Sequence, residues 1–135
     1  MTGQPKKPTF LSVALWSVQA LLALLYIGTG IFKVGTPIAT LATLWPWAGE
    51  YPSLVRVTGM LDLCGGLGLV LPTITRIKPR LMVLAALGVA VLQVCAIGFH
   101  VSRGEVASTP FNFVMLALAL LIFWGRRTKA PTSLE

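Results

Sequence analysis

Residues 52–71 read PSLVRVTGMLDLCGGLGLVL, and whether this stretch crosses a membrane decides the fold. It carries Arg56 in its second turn and Asp62 near its middle, so hydropathy alone supports it weakly. Its ends argue better. Pro52 suits the first turn of a helix, and Pro72 is expected to close it, because proline has no N–H to give to a helix interior. About 20 residues at 1.5 Å each cover a hydrocarbon layer about 30 Å thick. Counted as a helix, the stretch turns three obvious apolar runs into four spans and brings both termini to one side.

The three obvious runs are FLSVALWSVQALLALLYIGTGIF at 10–32, LMVLAALGVAVLQVCAIGF at 81–99, and the uncharged segment 106–125, whose aromatic start is Phe111. The chain is 56% hydrophobic and 11% charged, against about 25% charged for an ordinary soluble domain. A water-soluble fold of this length has no place to hide that much apolar surface. The sequence therefore predicts an all-α protein, a four-transmembrane-helix bundle over 10–125, with cytoplasmic tails at 1–9 and 126–135. The first run is longer than the core of a secretion signal and is expected to be retained.

A net charge of +7 would suggest nucleic acid in a soluble protein. Here the basic residues sit in short clusters beside apolar spans, where they meet anionic lipid headgroups, and nucleic acid is not an expected partner. Lys6, Lys7, Arg76, Lys78, Arg80, Arg126, Arg127 and Lys129 all fall on one side of four spans. The opposite loops hold Lys33, Arg56 and Arg103 together with Glu50 and Glu105. The positive-inside rule then puts both termini in the cytoplasm.

Asp62 is the most informative residue. It lies about 15 Å below the outer end of its helix at 1.5 Å per residue, where a carboxylate needs a partner or a proton. Gly59, Gly65 and Gly66 are expected on its face, giving a small surface for another helix. In the first run Gln19, Tyr26 and Lys33 recur every seven residues and line one face. In the third run Gln93 and His100 do the same. Tyr26, Asp62 and Gln93 thus come to a similar depth. They predict a polar site with Lys33, Arg56, His100, Arg103 and Glu105 around its mouth and Asn112 added by the fourth helix. Asp62 and His100 are the candidate catalytic groups. The same acid, amide and phenol would also serve simply to hydrogen-bond helices together.

His100 and Glu105 are too few ligands for a closed metal site, and none is expected. Cys64 and Cys95 form no CxxC pair, differ by about 10 Å in depth, and are expected to stay reduced. The outer segment 35–53, GTPIATLATLWPWAGEYPS, has aromatics that suit an interfacial belt or a lid over the polar mouth.

The stretches YIGTGIFK, TGMLDLCGGLGLVLP and LAALGVAVLQVCAIGFHVSRGE together resemble the DoxX-like family of small four-helix membrane proteins, over about residues 11 to 125. Gly30, Lys33, Asp62, Gly65, Gly66, Pro72, His100, Arg103, Gly104 and Glu105 carry the resemblance. The acidic position of the second helix is more often glutamate in that family, one methylene longer than Asp62. The resemblance implies a bacterial inner-membrane protein. Relatives include a component associated with thiosulfate:quinone oxidoreductase, members of oxidative-stress complexes and, more distantly, sterol isomerases and receptor-assembly factors.

These features favour a small-molecule-binding or accessory subunit linked to quinone metabolism, with a quinone or lipid as ligand and membrane lipids, a redox enzyme or a second copy as partners. No heme ligand pair, iron–sulfur cysteine set or dinucleotide loop is legible in the sequence. The alternatives are a lipid or sterol-like isomerase using Asp62 and a neighbouring acid or base, and an assembly protein in which Asp62 is a packing contact.

Overall fold

The computed structural model describes residues 9–75, 77–78 and 80–129, and every regular element among them is helical. Helix α1, Phe10–Gly35, starts where the Thr9 hydroxyl accepts the Ser12 N–H at 3.1 Å, a side-chain N-cap. It stops at Thr36, which is extended ahead of Pro37. Two short helices follow, α2 (Ile38–Leu44) and α3 (Pro46–Glu50). The remaining long helices are α4 (Pro52–Thr75), α5 (Arg80–Ser102) and α6 (Thr109–Trp124). A 3₁₀ turn, Val106–Ser108, leads into α6 and a π turn, Gly125–Lys129, follows it.

Four helical segments are long and apolar enough to cross a membrane, the fourth running from Val106 to Arg127. In their most apolar windows no more than 28% of the residues are buried within the protein. Large side chains such as Leu24, Leu84 and Val114 point outward instead. That surface is apolar around the bundle, as a lipid-facing one must be.

Two of the expected boundaries move. Helix α4 does not close at Pro72 but continues to Thr75, with Pro72 buried inside it. Proline so near the C-terminus removes one hydrogen bond from the final turn, and helix interiors in lipid tolerate that when neighbours cover the backbone. The proposed tail starting at 126 also begins too early. Arg126 is only 1% exposed. Its Nε donates to Gln19 Oε1 at 3.1 Å, and its guanidinium lies 5.3 Å from the Trp16 ring centre. The expected tail residues 1–8 and 130–135, with Lys6, Lys7 and Arg76 of the charge argument, lie outside the described residues.

The long helices form a closed ring in the order α1, α4, α5, α6. Within it α1 packs most extensively on α4 and α5 on α6, so the bundle is two tight pairs set face to face. Small residues set the first pair. A Cβ on Gly30 would stand 2.7 Å from the Gly59 carbonyl oxygen, and one on Gly66 would stand 2.9 Å from the Ala23 carbonyl oxygen. Backbone against backbone leaves no side chain that could move aside. Gly65, three residues beyond Asp62, turns toward Val89 of α5. Leu22, Leu69, Met82, Ala119 and Ile122 join the two pairs in a core toward the Arg126 end. A second small core of Leu41, Ala48 and Val55 fixes α2 and α3 over the Lys33 end.

These contacts predict that Gly30→Val and Gly66→Val prevent accumulation of folded protein, whereas Gly28→Ala, whose Cβ would meet nothing within 4 Å, leaves it unchanged. Monodispersity and thermal unfolding in one detergent check the three variants side by side.

Candidate functional site

Lys33 Nζ lies 2.9 Å from Asp62 Oδ2, and both side chains are largely buried. The sequence of the α1–α4 contact makes this possible. A Cβ on Gly59 would fall 2.7 Å from Lys33 Cβ, so the lysine stem lies where α4 offers no side chain. Three residues on, Asp62 is on the same face of α4 and meets the ammonium. The carboxylate thus has its partner from the neighbouring helix.

Arg56, expected at the mouth as a ligand-binding residue, is used differently. Its Nη1 donates to the carbonyls of Lys33, Val34 and Thr36 at 2.6, 3.0 and 2.8 Å. These are carbonyls at the end of α1 that have no helical donor of their own, and the guanidinium caps them. Arg56 is not among the residues lining the cavity described below.

A second polar group forms across the other side. The Gln93 amide nitrogen donates to the Tyr26 hydroxyl, and its carbonyl oxygen accepts from Asn112 Nδ2 at 2.8 Å. This neutral chain ties α1, α5 and α6 together. Between it and the Lys33–Asp62 pair lies a cavity of about 770 Å³. Thr29, Thr58, Ala96 and Met115 complete the polar side and floor, while Leu25, Leu92, Phe99 and Phe111 supply apolar walls. The segment that suited either a belt or a lid passes over the opening: Leu44, Trp45, Pro46 and Trp47 line the cavity as a roof. The two tryptophan rings stack at 6.3 Å, and Trp47 meets Phe99 edge-on at 5.5 Å.

At the mouth, α5 ends in a turn that brings its own following residues back. Glu105 N–H donates to the His100 carbonyl at 2.8 Å and Gly104 N–H to the Val101 carbonyl at 3.0 Å, with Gly104 at φ 74°. This is a Schellman cap, and its left-handed position favours glycine. The reversal sets Glu105 Oε2 2.7 Å from His100 Nδ1. With the carboxylate accepting the Nδ1 proton, Nε2 is left for the cavity that His100 lines. Arg103 donates from Nε to the other oxygen of Glu105 at 2.9 Å, and from Nη1 and Nη2 to Glu50 of the roof at 2.8 and 3.0 Å. Arg103 does not itself line the cavity. One guanidinium therefore joins the roof to the residue that orients His100.

The structure thus brings Tyr26, Lys33, Asp62, Gln93, His100, Glu105 and Asn112 to one cavity, and sets Arg56 and Arg103 behind its walls. Thr29 and Thr58 line the cavity without having been expected there. Thr29 sits three residues after Tyr26 and four before Lys33, and Thr58 four before Asp62, so helical spacing held the signal. Cys95 lines the cavity and Cys64 lies outside it on α4; both are free thiols. Among the described residues no three His, Cys, Asp or Glu side chains are grouped to hold a metal.

The sequence model described as the DoxX-like family matches residues 17–122, a span that contains every cavity-lining residue. No curated protein and no solved structure matches the chain.

Removing one partner of a buried ion pair leaves an uncompensated charge and costs about 3–5 kcal/mol, while apolar replacement of both is far milder. Lys33→Met is therefore expected to lower thermal stability more than the double variant Lys33→Met/Asp62→Leu. Equal or greater damage from the double variant would contradict the pairing. A pH prediction concerns the roof. The hydrogen bond from Arg103 holds Glu50 below the usual carboxylate range, and those from His100 and Arg103 do the same for Glu105. A depressed folded pKa makes the contribution complete above the ordinary carboxylate value of about 4 and lost as pH falls through the folded value. Tryptophan fluorescence of the roof should report loss of the latch as pH falls below that value, and Arg103→Gln should shift this change upward.

Proposed function

This chain belongs to the DoxX-like family, and from that premise we propose that it is a multi-pass inner-membrane subunit whose cavity binds a neutral, oxygen-bearing small molecule of the quinone class. The observation that carries this reading is the 770 Å³ of space between a matched ion pair and a neutral hydrogen-bond chain. A purely structural cluster has no need of such a volume, which is in the range of small-molecule sites.

The polar groups argue for the kind of head. Lys33 is already balanced by Asp62, so among its described lining residues the site has no lysine or arginine left over to reward an anion. It does have donors left over. The Tyr26 hydroxyl accepts from Gln93 and retains its own proton, Asn112 has a second amide hydrogen, and the Lys33 ammonium has three hydrogens in all. Carbonyl oxygens on a flat ring suit donors on opposing walls, and the aromatic roof suits the ring face. The redox step belongs, on this reading, to a partner enzyme that this subunit supplies or relieves.

A second reading is favoured by one feature, the His100–Glu105 pair at 2.7 Å with His100 facing the cavity. A histidine oriented by a carboxylate is suited to moving a proton on a bound lipid or sterol-like substrate, as an isomerase requires. For orientation, the charge contrast between Lys78, Arg80, Arg126 and Arg127 at one end and Glu50 and Glu105 at the other supports cytoplasmic termini and an outward-facing roof.

Titration of the protein in lipid nanodiscs with decyl-para-benzoquinone, followed by tryptophan quenching, tests the quinone reading. The wild type should saturate. Asn112→Leu and the double variant Lys33→Met/Asp62→Leu should each weaken binding about tenfold or more, equivalent to about 1.4 kcal/mol. Unaltered affinity in both, with thermal stability retained, would sink it.

A further inference from the structure

The two helix pairs meet closely at one end of the bundle and part at the other. Helices α1 and α6 share the least extensive contact in the ring. Where the turn Gly125–Lys129 follows α6, α1 is held closely, with Arg126 reaching Gln19 and a Cβ on Gly125 standing 2.6 Å from a methyl of Leu15, whereas Tyr26 and Asn112 are linked through Gln93 of α5. Toward the Lys33 end the space between α1 and α6 is the cavity itself. Two residues border the cavity on this flank. Leu25 of α1 and Phe111 of α6 both line it, and they are 40% and 63% exposed. Both belong to segments long and apolar enough to cross the membrane.

The end facing water is covered differently. Trp45 and Trp47 roof the cavity, and Arg103 fastens that roof through two hydrogen bonds to Glu50. A molecule approaching from the aqueous side meets this latched roof, whereas one dissolved in the bilayer meets the gap between Leu25 and Phe111.

We infer that the cavity is loaded sideways from the bilayer between α1 and α6, and that its occupant is a molecule with an apolar tail that stays in this gap while the oxygen-bearing head lies between Lys33 and Asn112. The inference deepens the preceding proposal and rests on it for the head. The tail is argued independently, from exposed apolar side chains on both edges of the gap. With its tail among lipid chains, the occupant gives up little apolar contact on entering, and the polar head supplies the selectivity.

A para-benzoquinone ring bearing a decyl chain that ends in a diazirine tests both parts at once. The protein in nanodiscs is irradiated with this probe, with and without excess tetramethyl-para-benzoquinone, and labelled peptides are mapped by mass spectrometry. Labelling concentrated around Leu25 on α1 and Phe111 on α6, and reduced at least severalfold by the tailless ring, is the expected result. Labelling that the ring suppresses but that maps to the roof, or to Cys95 on the α4–α5 side, overturns the α1–α6 portal and leaves the head site standing. Labelling that the ring does not suppress anywhere overturns the head site and the portal with it.

Discussion

A carboxylate in the middle of a membrane helix has to be answered from another helix, and the answer here is Lys33 on α1 at 2.9 Å. Much of the architecture follows from making that contact short. The ammonium reaches Asp62 because α1 and α4 lie backbone against backbone at Gly30 and Gly59, and because the lysine stem occupies the place a side chain would take at Gly59. Lys33 is in the last turn of α1, where carbonyls lack donors, and Arg56 of the same neighbouring helix supplies them. The α1–α4 pair is therefore pinned by a charge contact and a cap within two turns of each other. The pair is rigid where the cavity begins, so the cavity is shaped by where α5 and α6 are allowed to go.

How much of this could be read in advance depends on the contrast available. The four spans were legible because charges are scarce and fall between apolar runs. The polar positions were legible too, since Tyr26 with Lys33 and Gln93 with His100 recur at seven residues and define one face whatever surrounds them. Asp62 announced itself by its solitude. The packing faces were far harder to read. In water an apolar stripe marks the core, but lipid is as apolar as the core, and an exposed Leu24 and a buried Leu22 carry the same letter. That is why the cavity walls could not be told from the outer surface.

Two arginines are used otherwise than expected. Arg56 was expected at the mouth of the polar site and Arg126 in a cytoplasmic tail. Each instead finds acceptors inside the protein, helix-end carbonyls for Arg56 and Gln19 for Arg126. A helix terminus at membrane depth has carbonyls to satisfy, and a long planar donor near it is a candidate before any lipid is. Pro72 was misjudged in the same spirit, by a rule for helices in water applied to one whose backbone is shielded by neighbours.

The two ends of the bundle then make an instructive comparison, since both bury a glutamine and a cation, Gln19 with Arg126 at one and Gln93 with Lys33 around the cavity at the other. At the Arg126 end, Gln19 also donates to the Leu69 carbonyl, Arg126 covers Trp16, and Leu15 fills the space beside Gly125. Those groups are consumed by packing, with Gln19 fully buried and Arg126 nearly so. At the Lys33 end the donors face about 770 Å³ of space, the roof aromatics stop short of filling it, and Thr29 and Thr58 add hydroxyls to its wall. Both ends bury polar side chains, so polarity alone does not separate a packed cluster from one that borders a cavity. What separates them is that Leu15, Gln19 and Arg126 are buried together at one end, while at the other Leu25 and Phe111 line the cavity and stay exposed.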